Sequence, residues 1–195
     1  MQSRSLSPLA RLVGCAVIAA AGAGCQQGSD SPQLAAAHAA APSGSPCRLL
    51  QMGEVESVFS GAKDGEVDNS RQQYGISACI WPTARNRFAA QYWSSVGASA
   101  RDEASGLMLA AIDPLKGPSA RNNIRYEEIA GVGEEAVAIV EPKDESRGVL
   151  DDVAVLVARR GDHILVLTAP ELVRSERTQA LRELQALGKS AVERL

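Results

Sequence analysis

The sequence has only two histidines, His38 and His163, although this side chain is best suited to general base chemistry near neutral pH. His163 follows Asp162, a carboxylate that could orient the imidazole to activate a serine nucleophile. No Gly-x-Ser-x-Gly elbow is present to offer such a serine. We therefore interpret His163 as an exposed histidine at the start of a strand and predict no catalytic residue. A hydrolase that uses acidic residues around His163 is the alternative.

Two short motifs could hold a cation or a phosphate. Residues 64–69, Asp-Gly-Glu-Val-Asp-Asn, offer oxygen ligands, but calcium loops have acids at alternate positions and glycine at the sixth. Residues 131–136, Gly-Val-Gly-Glu-Glu-Ala, match the GxGxxA pattern of dinucleotide-binding turns. The residues that follow favour a strand over a helix, and the two glutamates would repel a phosphate. We predict that residues 64–69 form a solvated loop and that residues 131–136 form a glycine turn between strands. The sequence predicts neither a metal nor a cofactor.

Aromatic side chains are concentrated in one part of the chain. Five of the seven Phe, Trp and Tyr residues lie within positions 74–93. In an extended strand Tyr92 and Trp93 point to opposite faces. The cluster forms part of the core in one interpretation; in the other it lines a groove for an apolar or sugar ligand or a protein partner. The contact residues in the second case are Tyr74, Trp81, Tyr92 and Trp93.

The elements that position these residues are both helical and extended. Apolar residues near helical spacing predict helices over 49–59 and 102–112. The capping box at 168–171 predicts the start of a long amphipathic helix that runs to the end of the chain. Residues 62–71 are interpreted as a polar loop.

Six runs of β-branched, aliphatic or aromatic residues predict strands, at 74–81, 87–93, 124–129, 135–140, 153–158 and 163–167. The tight link at 160–162 predicts a hairpin between the last two. The order of helices and strands predicts an α+β fold: an antiparallel sheet packed with helices in an α/β sandwich.

The first 24 residues have the features of a signal peptide. Arg4 and Arg11 precede an acid-free, apolar stretch from Leu12 to Gly24, which is too short to cross a membrane, since a span takes about 20 apolar residues. Residues 25–46 have no apolar periodicity to offset the entropy of ordering and predict a flexible tether of roughly 25 Å. A helix over 35–41 is an alternative for part of it. Residues 47–195 are predicted to form a single domain.

Gly22-Ala23-Gly24-Cys25 resembles the lipobox of bacterial lipoproteins, with Gly22 where leucine is usual. The resemblance implies that Cys25 becomes the mature N-terminus and carries a diacylglyceryl thioether and an amide-linked palmitate-type chain. Two or three chains make a stable membrane anchor, whereas one is marginal. Gln26 after the cysteine implies, by the same resemblance, the outer membrane, with the protein facing the periplasm. Cleavage after Ala23 by a general signal peptidase is the alternative.

Cys47 and Cys79 would then be the only cysteines in the exported domain. An oxidising compartment favours a disulfide between them. Closing their separation of 32 residues stabilises the fold by roughly 3.5 to 4 kcal/mol in the chain-entropy model. A two-cysteine metal or redox site is the alternative, but it lacks a CxxC spacing and nearby histidines.

The charge of the exported chain argues against two classes of partner. Without the signal peptide, 18 basic residues stand against 23 acidic ones, a net charge of −5. No cluster of Lys and Arg is present. We therefore expect no nucleic-acid partner and no electrostatic adhesion to anionic lipid.

Four short motifs of the predicted domain also carry a resemblance: Cys47-Arg48-Leu49-Leu50, Cys79 with Trp81, Gly-Val-Gly-Glu-Glu-Ala at 131–136, and Arg160-Gly161-Asp162. Together they resemble small bacterial envelope lipoproteins grouped as domains of unknown function. This resemblance implies an exported, disulfide-containing α+β domain similar to the PsbP-like sandwich, and it brings no catalytic residues.

From these observations we expect a lipid-anchored envelope lipoprotein that is not an enzyme and that binds a protein partner or an apolar ligand. An envelope hydrolase around His163 and a purely structural envelope protein are the alternatives.

Overall fold

The computed structural model of the chain describes residues 45–94 and 97–195. The predicted signal peptide, the predicted lipidation site Cys25 and the predicted tether up to residue 44 lie outside the described residues. In the described part of the chain, no helix combines the length and the hydropathy that crossing a membrane requires.

A seven-stranded antiparallel sheet is the centre of the structure. Its spatial order is β1-β2-β3-β7-β6-β5-β4. The strands are β1 Glu66–Asp68, β2 Ile76–Pro82, β3 Arg87–Ser94, β4 Tyr126–Glu128, β5 Glu135–Glu141, β6 Val153–Arg160 and β7 His163–Thr168. All six predicted strands are present, and β6 and β7 form the predicted hairpin. The interpretation of 62–71 as a loop was wrong at β1, because this short edge strand has no apolar alternation to reveal it.

Four α-helices accompany the sheet in the described residues: α1 Met52–Val58, α2 Ala100–Leu109, α3 Gly117–Arg121 and α4 Arg177–Glu193. The predicted start of the last helix was wrong, because residues Pro170–Arg174 form a separate 3-10 turn before α4 begins. The short α3 was not predicted, since Gly117 and Pro118 are poor helix formers. The fold class itself is confirmed as an α+β sandwich.

On the first face of the sheet, α1 and α4 cover a core that includes Leu156, Leu165, Leu167, Leu184 and Leu187. Gly188 lets α4 approach the sheet closely. A Cβ atom added there would lie 2.9 Å from Cδ2 of Leu156 and 3.1 Å from Cγ1 of Val132. Both side chains would have to move.

On the second face, α2 packs over β5 and β6 through Ala100, Ala104 and Met108, all fully buried. The N-terminus of α2 is capped by Ser99, whose hydroxyl accepts a hydrogen bond from the Asp102 backbone at 3.0 Å. Most of β2 and β3 lies outside this cover; only Trp93, at the end of β3, packs against the second core. The second face is therefore covered on one half and open on the other.

Candidate functional site

The open half of the second face contains a cleft of about 630 Å³. Its floor combines short or polar side chains, Ala78, Ala89, Gln91 and Thr168, with the apolar Ile76, Ile80 and Val155. One wall is the C-terminal end of α2 with Ala110 and Ala111, and the other is the segment from Asp68 to Arg71. Short side chains on the floor leave room for a ligand to approach the sheet.

The alternation of β3 explains why its residues divide between the core and the cleft. Phe88, Ala90 and Tyr92 are buried in the first core. Ala89 and Gln91 point to the other face and line the cleft. Ala89 lies opposite both Ile80 of β2 and Thr168 of β7, so the floor is continuous over three strands.

Charged side chains of both signs stand at the rim. Arg71 and Arg87 are exposed and form no salt bridge with any residue that the structure describes. A hydrogen bond from the Ser70 backbone lowers the pKa of Asp68, and the charges of Arg71 and Arg87 lower it further. Asp151 and Asp152 line the opposite end, next to the start of β6. The rim thus has a partly cationic side and an anionic end.

The predicted disulfide is confirmed. Cys47 and Cys79 are bonded, with their Cα atoms 4.9 Å apart. The bond ties the first described residues to β2, whose outer neighbour is β1. Gly65 packs directly on it, because an added Cβ would lie 2.5 Å from Sγ of Cys79 and 2.6 Å from Nε1 of Trp81.

The four predicted aromatic contact residues do not share one groove. Trp81 and Tyr92 are only 2% and 3% exposed and belong to the first core, where Trp81 stacks on Phe88 at 5.2 Å. Tyr74 is 71% exposed in the 3-10 turn before β2. Trp93 lies on the second face against the other core, and its indole nitrogen is buried with no hydrogen-bond partner among the described residues. Trp81, Phe88 and Tyr92 therefore form part of the core, as the first interpretation of the aromatic cluster predicts.

His163 lies between Tyr92 and Asp162. Its Nδ1 is 2.5 Å from the Tyr92 hydroxyl, and its Nε2 is 3.3 Å from a carboxylate oxygen of Asp162. Both contacts are satisfied if Tyr92 donates its proton to Nδ1 while Nε2–H faces Asp162. Burial, and then the charge of Asp162, raise the pKa of Tyr92 to about 12, so its hydroxyl stays a donor. Both nitrogens of the imidazole are therefore occupied by this arrangement.

The two motifs weighed for ion or phosphate binding have structural roles. The turn at 131–136 joins β4 to β5, as predicted, and Glu134 in it is held by Arg159 and Gly161. Asp68 caps the turn after β1 through the Ser70 backbone. Among residues 45–94 and 97–195, no three His, Cys, Asp or Glu side chains are grouped as metal ligands.

Comparison with protein-family models, with curated proteins and with solved structures finds no match to this chain. Sequence patterns missed the cleft because alanines on a strand carry no chemical signal. The only available signal was that Ala78, Ala89 and Gln91, which are small or polar, alternate with the buried residues of β2 and β3.

Proposed function

We propose that this chain is a lipid-anchored envelope protein whose α+β sandwich is a non-enzymatic binding module for a protein partner. The partner occupies the cleft over β2 and β3. The observation that carries the proposal is that α2 covers only the β5 and β6 half of the second face and leaves the other half open.

The composition of the cleft favours a protein partner over an apolar small molecule. Pockets for small ligands are mostly apolar and enclose 70–90% of the ligand surface. This cleft is open, and its lining combines apolar side chains such as Ile76, Ile80 and Leu107 with Gln91, Thr168 and a charged rim. A polar rim around an apolar centre is typical of surfaces between proteins.

The hydrolase alternative is less well supported, because Tyr92 and Asp162 occupy the two ring nitrogens of His163. A general base needs one nitrogen within reach of the proton that it removes. Tyr92 donates from a buried position and has no other hydrogen-bond partner among the described residues. His163 is better explained as the hydrogen-bond partner that satisfies the buried hydroxyl of Tyr92.

The proposed lipid anchor at Cys25 is tested by intact-mass analysis of the full-length protein extracted from membranes. We expect a mature chain that starts at Cys25 and carries acyl chains, and we expect Cys25→Ala to release the protein from the membrane fraction. Cys15→Ser, at the cysteine inside the predicted signal peptide, is the matched control and should leave both results unchanged. A mature chain without acyl groups would contradict the anchor while leaving the binding proposal open to its own test.

Binding is tested by mild cross-linking and purification of the tagged full-length protein from detergent-solubilised envelopes. Ala89→Trp fills the cleft with an indole ring, whereas Ala186→Trp adds the same ring to the exposed side of α4. A stoichiometric partner recovered with the wild type and with Ala186→Trp, and lost with Ala89→Trp, supports the proposal. A partner that is retained by both variants, or no partner at all, would contradict it.

A further inference from the structure

We infer that the occupant of the cleft is an extended segment of the partner that carries an acidic residue and, about three to six positions away, a basic residue. This inference rests on the proposed function and names the chemistry of the partner at the same site.

The dimensions of the cleft favour an extended chain over a compact ligand. The Asp68 to Arg71 wall follows β1, and Asp151 and Asp152 precede β6. In the sheet order, β1 and β6 are four strands apart. At about 4.8 Å for each step, the Asp68 to Arg71 segment and the two aspartates are about 19 Å apart across the sheet, which is the reach of about six residues of extended chain.

The floor suits a polypeptide backbone. Ala78 and Ala89 have only a methyl group above the sheet, so a chain can lie close to the sheet there, beside the larger side chains of Ile76 and Ile80. Gln91 and Thr168 stand beside these alanines, and neither side chain hydrogen-bonds to another described residue. An amide and a hydroxyl offer both donors and acceptors, which is what the N–H and C=O groups of a peptide need.

The rim selects the charges of the segment. Arg71 and Arg87 have no salt-bridge partner among the described residues and are available to an acidic side chain. Asp151 and the second carboxylate oxygen of Asp152 can take a basic one, while Oδ1 of Asp152 accepts from the Lys143 backbone at 2.9 Å. Arg87 begins β3, two strands from β6, so about 10 Å separates its position from the aspartates across the sheet. That distance corresponds to about three extended residues and sets the lower limit of the spacing.

A partner of a single charge fits this rim less well. Asp68, Asp151 and Asp152 would repel a uniformly anionic chain, and the two arginines would repel a uniformly cationic one. An uncharged apolar ligand would leave the rim charges partly desolvated without partners. A polypeptide that carries both signs complements both ends.

The segment is identified with a photoreactive benzoylphenylalanine at Ala110, an exposed alanine at the cleft wall, in the full-length protein in envelopes. Mass spectrometry then locates the partner residues that are joined to it. We expect a peptide with an acidic and a basic residue at the stated spacing. The same amino acid at Ala186, on the exposed side of α4, should not capture this peptide.

A synthetic copy of the captured segment tests the charges. Arg71→Glu with Arg87→Glu should weaken its binding to the full-length protein at least about tenfold. Arg48→Glu with Arg121→Glu, at two exposed arginines outside the cleft, should change the Kd by less than about twofold. Adding Asp151→Lys and Asp152→Lys to the first pair should make the protein prefer a peptide whose charges are reversed.

The outcomes distinguish failure of this inference from failure of the proposed function. A captured ligand that is not a polypeptide, or a segment whose binding ignores both charge reversals, overturns the inference. If that segment is still displaced by Ala89→Trp, the proposed function stands. If every molecule captured from position 110 is also captured from position 186, or if none is captured, the inference and the proposed function are both refuted.

Discussion

Glu134, in the turn between β4 and β5, is joined to Arg159 of β6 by backbone and side chain together. Its backbone N–H donates to the Arg159 carbonyl at 2.9 Å, and its carboxylate accepts from Nη1 of Arg159 at 2.9 Å. The other carboxylate oxygen accepts from the backbone of Gly161 at 3.0 Å. The glycine turn and the hairpin turn, two separate motifs in the sequence, are therefore one structural unit at this end of the sheet.

This unit predicts different effects for two glycines of the same turn. Gly131 and Gly133 both have positive φ, but an added Cβ is free of contacts at Gly131 and would overlap the Arg159 carbonyl at Gly133. We expect Gly131→Ala to cost roughly 1 to 2 kcal/mol of unfolding free energy. Gly133→Ala should cost at least about 1 kcal/mol more, because the two backbones must separate. Urea denaturation measures both, and equal losses would show that the close approach contributes nothing.

The packing around the disulfide predicts the outcome of a second pair of glycine substitutions. Gly65→Ala would place a methyl group against Cys79 and Trp81, so we expect a loss of about 1 to 3 kcal/mol in unfolding free energy. Gly53→Ala in α1 adds the same group in open space and should stabilise by roughly 0.5 to 1 kcal/mol. Thermal unfolding under oxidising conditions provides the comparison. If Gly65→Ala is as stable as the wild type, the tight packing on the disulfide is refuted.

The raised pKa of Tyr92 predicts that the protein loses stability in alkaline solution. The pKa of this side chain is raised from 10 to about 12 by burial and then by Asp162. A raised pKa means that the neutral form is favoured in the folded state, so the contribution is complete below pH 10 and disappears as the pH rises towards 12. We expect Tyr92→Phe to reduce the fall in unfolding free energy over this window. Tyr74→Phe, at an exposed hydroxyl, is the control and should retain the full alkaline fall.

Asp144 predicts a loss of stability in acid. Hydrogen bonds from Ser146 and Arg147 lower its pKa from 3.8 to about 2. A lowered pKa means that the stabilisation is present above about pH 4 and is lost as the pH falls towards 2. Asp144→Asn should therefore be less stable than the wild type at pH 7 and should approach it at pH 2. Asp64→Asn, at a side chain with no hydrogen bond or ion pair among the described residues, should show no such convergence.

The sequence revealed the fold better than the site, for a physical reason. Continuous apolar runs mark β5, β6 and β7, which are buried on both faces, and these strands were predicted within two residues of their observed ends. The edge strand β1 and the 3-10 turn before α4 depend on tertiary contacts and were missed. The cleft depends on where a helix stops covering a sheet, and no local pattern records that.

The aromatic cluster illustrates the same limit. The alternation of β3 predicted that Tyr92 and Trp93 face opposite sides, which the structure confirms. It could not predict that both sides are covered at that position, because the cover on the second face comes from distant residues. From this strand, Ala89 and Gln91, four and two positions before Trp93, line the open cleft.

The most direct test of the account compares photo-cross-linking from Ala110 and from Ala186 in intact envelopes, each with and without Ala89→Trp. We expect one partner to be captured from position 110, to be absent from position 186, and to be lost when the indole ring fills the cleft. Capture from position 110 that persists with Ala89→Trp, or equal capture from both positions, would contradict the claim that the open half of the sheet is the binding site.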